Sequence, residues 1–356
     1  MSETYFLGSS TANGFVTTFD TIIKDEKMFT YILKGGAGTG KSSLMKKVAN
    51  EVENYEHVLR YHCSSDPDSL DAVVLTESGV VIVDGTAPHV FDPLIPGVNQ
   101  KIVNLGDYWN EDLLKANKEN IVNAINANKS ALDRARRFTA ALTNIFSDTC
   151  HIGSDSLLYK KTESFISRFK KKILPKKGNG TGKTSLFQLS ALTRYGYLTY
   201  TETLDDYFDI YYLKDEYYAA TDFILKAVAV EATARNFDVI ISPCQLFAYE
   251  NYEHLLIPEL GIAIVGANPM TNLCLDNGKI INASRFYDKK LIAQKKSRLK
   301  LNKTTYADLC KETAYTLENA KIIHDEIEKY YIEAMNFDKI NEITENIISE
   351  IKSKHQ

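Results

Sequence analysis

Hydrophobic and polar positions along the chain follow two alternating patterns. Short apolar runs rich in β-branched residues occur at 28–33 (MFTYIL), 57–63 (HVLRYHC) and 79–84 (GVVIVD). Runs of this length and composition are typical of buried strands. Between the first two runs, residues 43–52 (SLMKKVANEV) carry apolar side chains four positions apart, which predicts an amphipathic helix. Strands that alternate with helices in this way predict an α/β fold.

Two longer polar stretches have a helical pattern. The first covers about residues 111–172 and the second about residues 291–354. Arg134, Arg136 and Arg137 form a basic cluster in the first stretch. Arginines from a helical lid neutralise charge in many phosphate-transfer sites. A solvated helix face produces the same pattern, so both interpretations stay open for this cluster.

The second half of the chain repeats the first. Residues 31–52 align with residues 211–232, and the alignment preserves polar positions as well as the apolar pattern. The matched pairs in this block include Lys34 with Lys214, Lys46 with Lys226 and Glu51 with Glu231. Later blocks continue the match and pair Cys63 with Cys244 and Gly79 with Gly261. Unrelated α/β segments share apolar patterning, but they do not share ordered Lys, Glu, Gly and Cys positions. The sequence therefore predicts a duplication.

A phosphate-binding loop is predicted between the strand at 28–33 and the helix at 43–52. Gly35, Gly40, Lys41 and Ser42 satisfy the pattern G-x-x-x-x-G-K-[ST]. Glycines let the backbone curl so that several N–H groups point at one phosphate, and the helix N-terminus adds partial positive charge. The predicted nucleotide-binding residues are Gly35, Gly36, Ala37, Gly38, Thr39, Gly40, Lys41, Ser42 and Ser43.

Four polar residues in or beside this loop are candidates for catalysis and metal binding. Asp84 ends an apolar run, as expected for a carboxylate delivered at the C-terminal end of a buried strand. We expect Ser42 and Asp84 to bind Mg²⁺, and Lys41 to contact the β- and γ-phosphates. Asp66 follows the strand at 57–63 on the same sheet edge. It would orient water or a substrate hydroxyl, or it would cap a turn or helix.

Two further segments are related to the loop, and neither is predicted to bind phosphate. Residues 176–185 (KKGNGTGKTS) resemble it, but Lys177 stands where the pattern requires glycine and no apolar strand precedes it. We interpret this segment as a linker. The counterpart in the duplicated half is 215–222 (DEYYAATD), in which Thr221 replaces Lys41. Gly266 likewise replaces Asp84, so both motifs are lost together.

The patterns together predict an α/β fold of two tandem P-loop NTPase-like units. Each unit is expected to have three α/β/α layers around a mainly parallel sheet, with a helical addition. Residues 1–172 would form the intact unit with its helical extension and residues 173–185 a basic Gly-rich linker. Residues 186–356 would form the degenerate copy with the C-terminal helices.

Composition indicates the class of protein and its expected cellular compartment, but it does not indicate a substrate. The 356 residues are 44% hydrophobic and 25% charged, with a net charge of -4, which disfavours nucleic acid as the main partner. Five scattered cysteines without a CxxC pair suggest neither disulfides nor a zinc site. No secretory signal or membrane-spanning apolar stretch is visible, so we expect a cytoplasmic protein without a membrane partner.

Three segments resemble an uncharacterised tandem P-loop ATP-binding family of Gram-positive bacteria. They read LKGGAGTGKSSLMKK, HCSSDPDSLD and DGTAPHVFDP. The resemblance runs over nearly the whole chain and implies a P-loop fold that binds ATP, with the activity of an ATPase or nucleotide kinase. Members of this family often keep a second phosphate loop, from which this chain departs at 215–222.

The predicted function is a Mg²⁺-dependent ATPase with one active site in the first unit and a pseudo-site in the second. ATP is favoured over GTP because ANKS at 127–130 and LNKT at 301–304 lack the aspartate of a guanine-reading N-K-x-D sequence. Two alternatives stay open. One is a small-molecule or nucleotide kinase with Asp66 as the base, and the other is an ATP-gated binding protein with little turnover, acting on a protein or small molecule that the sequence does not name.

Overall fold

The chain forms two compact lobes. The computed structural model describes residues 2–87, 90–177, 180–247, 250–269, 271, 273–274 and 276–354. The first lobe comprises Met1–Ser9, Thr17–Ala135 and Tyr315–Gln356, and the second comprises Ser10–Val16 and Arg136–Ala314. Each lobe therefore combines segments from both halves of the sequence.

The first repeat contains eight strands and five helices within the described residues. The strands are β1 (Ser2–Phe6), β2 (Gly8–Thr11), β3 (Gly14–Thr17), β4 (Phe29–Lys34), β5 (Val58–His62), β6 (Leu70–Leu75), β7 (Val80–Asp84) and β8 (Gln100–Asn104). The helices are α1 (Phe19–Ile23), α2 (Lys41–Val52), α3 (Glu111–Ala116), α4 (Lys118–Ser156) and α5 (Tyr159–Ile173).

The second repeat follows the same order of elements, with a short 3-10 helix (Thr201–Leu204) in the place of α1. Its strands are β9 (Thr184–Leu186), β10 (Ser190–Thr193), β11 (Gly196–Thr199), β12 (Asp209–Lys214), β13 (Val239–Pro243), β14 (Tyr252–Ile257), β15 (Ile262–Ala267) and β16 (Lys279–Asn282). Its helices are α6 (Ala219–Ala234), α7 (Lys289–Gln294), α8 (Lys296–Ala334) and α9 (Phe337–Ser353).

The two six-stranded sheets have the same strand order. The first runs β1-β5-β6-β7-β4-β8, and the second, read in the same direction, runs β9-β13-β14-β15-β12-β16. In each sheet the third strand is antiparallel to both neighbours, and the other pairs are parallel. The predicted α/β class and mostly parallel sheets are confirmed. The matching order is what a duplicated chain predicts.

The C-terminal helix of each repeat packs in the lobe that holds the other repeat's sheet. In the first lobe, α9 packs on α2, where Ile347 and Ile351 share a buried core with Leu44 and Val48. In the second lobe, α5 packs on α6. The bounds 1–172 and 186–356 therefore describe the two sequence repeats. They are not the bounds of the two lobes, because each lobe contains segments of both repeats.

The segment that connects the two repeats, predicted at 173–185, covers residues 174–183 in the structure. Ile173 is the last residue of α5, and Thr184 begins β9, which pairs in parallel with β13. Between them, the Lys183 N–H donates to Asp238 Oδ1 at 2.7 Å and the Gly182 N–H donates to the Thr233 carbonyl at 2.9 Å. Gly178 and Asn179 lie outside the described residues. This segment leads into a strand instead of a helix, which supports its interpretation as a connector.

A buried polar network lies in the second lobe at the start of β14. Glu253 is fully buried and accepts hydrogen bonds from Tyr197 Oη at 2.7 Å and Asn268 Nδ2 at 3.2 Å. Burial raises the pKa of Glu253 to about 7. The adjacent His254 Nδ1 accepts from the Gly266 N–H, so its Nε2 carries the proton and donates to Ser190 Oγ. This histidine therefore orients Ser190 but does not activate it as a nucleophile.

The raised pKa of Glu253 predicts a loss of stability as pH rises. The folded chain keeps this proton up to about pH 7, whereas the unfolded chain releases it near the ordinary glutamate pKa of 4.5. Folding therefore takes up a proton inside this window, and stability falls across it by roughly 3 kcal/mol. We expect Glu253→Gln to remove this contribution, so that the variant gains stability relative to wild type between pH 5 and pH 8 in urea unfolding. The exposed control Glu250→Gln should follow the wild-type profile. Parallel profiles for all three proteins would contradict the assignment.

Candidate functional site

The glycine-rich loop (residues 35–43) joins β4 to α2 in the first lobe. Strand β4 lies inside the sheet between β7 and β8, and its central residues are buried. Helix α2 begins at Lys41 and buries Leu44, Val48 and Val52 against the sheet and α9. The predicted strand and helix that flank the loop are confirmed. The loop consequently lies at the carboxyl end of a central parallel strand, where α/β sheets bind ligands.

Two glycines give the loop its path. Gly38 (φ 69°) and Gly40 (φ 87°) have left-handed backbone conformations that favour glycine. A Cβ atom at Gly38 would also lie 2.8 Å from the carbonyl oxygen of Glu328 on α8. Glycine at position 38 is therefore required both by the turn and by the close approach of a helix backbone.

The loop presents a series of backbone donors. Within the part of the chain that the structure describes, the N–H groups of residues 36 to 43 donate to no protein acceptor. The first hydrogen bond of the helix runs from the Leu44 N–H to the Gly40 carbonyl at 2.8 Å. Consecutive free N–H groups that lead into a helix N-terminus form an anion-binding surface.

Lys41 places its ammonium group over this loop. Its Nζ donates to the carbonyl of Gly35 at 2.9 Å and to that of Gly36 at 2.7 Å, and lies 3.7 Å from Asp84 Oδ2. The side chain is only 10% exposed. Burial lowers the pKa of Lys41, and the charge of Asp84 opposes that effect. The lysine is thus held close to the backbone donors of the loop.

Asp84 and Ser42 provide oxygen atoms at the same edge. Asp84 ends β7 and pairs with Leu33 of β4, shortly before the loop begins. Its Oδ1 accepts from the N–H (2.9 Å) and hydroxyl (2.5 Å) of Thr86, and its Oδ2 faces Lys41. Ser42 Oγ accepts from the Leu70 N–H at 3.0 Å. A carboxylate and a hydroxyl are hard oxygen donors, so this pair fits Mg²⁺ that is also bound by phosphate oxygens.

Asp66 lies in the turn between β5 and β6. Its Oδ2 accepts from Ser69 Oγ at 2.9 Å, and its carbonyl accepts from the Ser69 N–H. Residues 66–69 form a turn before β6, so the alternative in which Asp66 caps a helix is not what the structure contains. Lys321 Nζ of α8 lies 3.6 Å from the same carboxylate oxygen. The turn and the ion pair hold the Asp66 carboxylate in the segment that leads to Leu70, whose N–H donates to Ser42 Oγ.

A segment of α8 that the sequence analysis did not single out contacts the loop. A Cβ at Gly36 would lie 3.1 Å from the ring of Tyr331, and the Tyr331 ring lies 5.5 Å from that of Trp109. His324, Asp325 and Glu328 on the same segment bring three ligand atoms within 4.8 Å of one another and could hold a metal ion. Lys321 pairs with Asp325 and offsets part of that negative charge. The helical pattern predicted this segment, but no sequence signal places it at the loop.

The arginine cluster lies on α4. Arg134, Arg136 and Arg137 are all exposed. Arg134 belongs to the first lobe, whereas Arg136 and Arg137 belong to the second. A lid role for these arginines stays a prediction.

In the corresponding loop of the second lobe, most backbone donors have acceptors within the protein. The buried Asp215 carboxylate accepts from the N–H groups of Tyr217 and Thr221 at 3.0 Å. Tyr287 Oη accepts from the Ala220 N–H at 2.8 Å and donates to the same carboxylate. The Asp222 N–H donates to the Tyr218 carbonyl. The side chain of Asp215 thus occupies the backbone donors that an anion would use, which supports the prediction that this loop does not bind phosphate.

Comparison of the chain with protein-family models, with curated proteins and with solved structures gave no match. Within the described ranges, no helix has the length and apolar composition that a membrane crossing requires. All five cysteines are free thiols. The geometry of the loop is therefore the basis for a functional assignment.

Proposed function

We propose that the first lobe binds ATP with Mg²⁺ at the glycine-rich loop and hydrolyses it, and that the second lobe carries a disabled copy of the site. This proposal assigns the chain a P-loop NTPase-like function. One observation carries it: the N–H groups of residues 36 to 43 have no acceptor among the described residues. In the second lobe, three of the equivalent donors, those of Tyr217, Ala220 and Thr221, bind Asp215 or Tyr287. A polyphosphate is the ligand that such a series of donors fits best.

The charged groups around the loop support a triphosphate over a single phosphate. Lys41 would exchange the carbonyls of Gly35 and Gly36 for β- and γ-phosphate oxygens. Ser42 and Asp84 would hold Mg²⁺, which when bound neutralises phosphate charge. Asp66 would orient the attacking water, with its carboxylate fixed by Ser69 and Lys321.

Asp84→Asn tests the metal part of this proposal. The amide keeps the size and the acceptor for Thr86 but removes the charge beside Lys41 and weakens Mg²⁺ binding. We expect Mg²⁺-dependent phosphate release from ATP by the full chain to fall by about two orders of magnitude or more. Asp92→Asn, an exposed carboxylate of the same lobe, is the control and should leave the rate unchanged. Equal rates in both variants would contradict the assignment of Asp84.

The same assay separates hydrolysis from transfer to another molecule. Labelled ATP with purified protein should release free phosphate under the ATPase proposal. Under the kinase alternative, the label should appear in a new product only when a pool of small metabolites is added. Asp66→Asn should reduce either reaction, because both need an oriented nucleophile.

A second candidate function, an ATP-gated switch with little turnover, is favoured by the contact between the loop and α8. The Gly38 backbone lies against the Glu328 carbonyl, so ligand-induced movement of the loop would be transmitted to this helix. A switch predicts tight ATP binding with at most a single turnover. Sustained steady-state hydrolysis would exclude the switch and support the ATPase.

A further inference from the structure

A cavity of about 480 Å³ opens in the second lobe beside the loop between β12 and α6. Its walls come from α4, that loop, α7 and the first turns of α8. This volume is in the range of small-molecule sites. The cavity belongs to the lobe whose glycine loop is lost, so it has no part in the site proposed above.

Aromatic and aliphatic side chains form much of the cavity wall. Phe146, Tyr217, Leu299 and Tyr306 line it. The rings of Phe146 and Tyr306 lie 5.8 Å apart, and Tyr217 packs edge-to-face against a further tyrosine. Packing of this kind holds ring surfaces in place, and such surfaces bind flat or apolar groups well.

Positive charge surrounds these apolar walls. Lys289, Lys296, Lys300 and Lys303 line the cavity, and Glu216 is the only acidic residue among its described lining residues. In the described part of the chain, none of these four lysines forms an ion pair. Three of them follow one another along one face of α8, at spacings of four and three residues. Unpaired cations that converge on a concave surface attract anions.

The duplication provides an internal comparison for these lysines. Helices α3 and α7 each have 6 residues, and α4 and α8 each have 39, so their positions correspond one to one. The counterparts of Lys289, Lys296, Lys300 and Lys303 are Glu111, Lys118, Val122 and Ile125. Three of the four lysines are thus specific to the second repeat. The basic rim is not a requirement of the fold, because the first repeat forms the same helices without it.

We propose that this cavity binds a small organic anion that has a flat ring system and two or more negative charges. The ring would lie against Tyr217 and Tyr306, and the charged groups would reach Lys296, Lys300 and Lys303. Lysine is a mobile point charge and accepts phosphate, sulfonate or carboxylate groups alike. The second lobe would then have exchanged the phosphate loop of its ancestor for a different ligand site.

The test uses the full chain and hydroxypyrene trisulfonate, a fluorescent flat polyanion. Fluorescence anisotropy should show saturable binding. Lys296→Glu combined with Lys300→Glu should weaken it about tenfold or more. The matched control combines Lys290→Glu with Lys295→Glu, two exposed lysines of the same region that do not line the cavity. This control changes the net charge equally and should shift the affinity by no more than about twofold. Equal weakening in both pairs would show general charge attraction and overturn the site.

Two further measurements test the cavity itself and the requirement for a ring. Ala293→Trp places a large side chain on an exposed helix position that lines the cavity, and it should abolish binding without unfolding the chain. Unchanged affinity in this variant would exclude the cavity. In a Lys41→Ala background, AMP should displace the probe at lower concentration than inorganic pyrophosphate does. Equal or better displacement by pyrophosphate would overturn the requirement for a ring.

Discussion

We expect Lys41→Ala to weaken ATP binding at the glycine-rich loop by at least about 30-fold. The lysine ammonium is largely buried between the carbonyls of Gly35 and Gly36 and the Asp84 carboxylate. Removal of a buried charged partner weakens binding by about 2–5 kcal/mol, which is roughly 30-fold to several thousand-fold in dissociation constant. The loss should be larger for ATP than for AMP, because the lysine would contact the β- and γ-phosphates.

The chain offers an internal reporter for this measurement. Trp109 is its one tryptophan, and Tyr331 lies between Trp109 and Gly36 of the loop. Tryptophan fluorescence during titration with Mg²⁺-ATP should therefore change in the wild-type protein and stay flat in Lys41→Ala. Calorimetry would provide the dissociation constants independently of any optical signal.

Two control variants make the result specific to this loop. Lys183→Ala removes the lysine of the segment that resembles the motif, and Thr221→Ala alters the counterpart of Lys41 in the second lobe. Both should bind ATP as the wild-type chain does. A comparable loss of affinity in Lys183→Ala, or retained binding in Lys41→Ala, would place the nucleotide elsewhere in the chain.

The parts of the site that could be predicted from sequence are local in the chain. The strand, the loop and the helix that follows it lie within about 25 consecutive residues, and their physical roles depend on backbone geometry that glycines and apolar periodicity encode. Asp84 was predictable because a buried parallel strand delivers its last residue to the same sheet edge. The loss of the glycine and lysine motif in the second copy was visible in the sequence, but the hydrogen bonds from its backbone donors to Asp215 were not predictable.

The contacts that the sequence did not reveal join distant parts of the chain. Glu328 and Tyr331 reach the glycine-rich loop, and Lys321 reaches Asp66, from a helix of the second repeat. Apolar periodicity predicts that α8 and α9 are helices with one buried face. It does not predict against which of the two sheets that face packs. A duplicated chain has two equivalent sheets, so the same pattern is satisfied by packing within a repeat or by exchange between repeats.

The exchange of helices predicts that the two halves cannot be separated at the boundary between the repeats. A chain that ends at Lys172 keeps β1–β8 and α2 but loses α9, whose Ile340, Ile347, Ile348 and Ile351 are at most 4% exposed in the core of the first lobe. Burial of one such side chain contributes about 1.5–3 kcal/mol, so their loss removes roughly 6–12 kcal/mol. That amount is comparable to the whole stability of a typical domain. We therefore expect the 1–172 fragment to lack a cooperative unfolding transition in circular dichroism and to bind no ATP.

A milder truncation isolates the role of α9. A chain that ends at Ala334 retains every residue of the glycine-rich loop and α8 but exposes the apolar face of α2, including Leu44 and Val48. It should unfold at a much lower urea concentration than a control that ends at Ser353, which keeps all of α9. Co-expression with residues 173–356 should restore the 1–172 fragment, because that piece carries the missing helix. A 1–172 fragment that unfolds cooperatively and hydrolyses ATP by itself would instead show that each repeat closes its own core, and α9 would then be an accessory to the first lobe and not part of its structure.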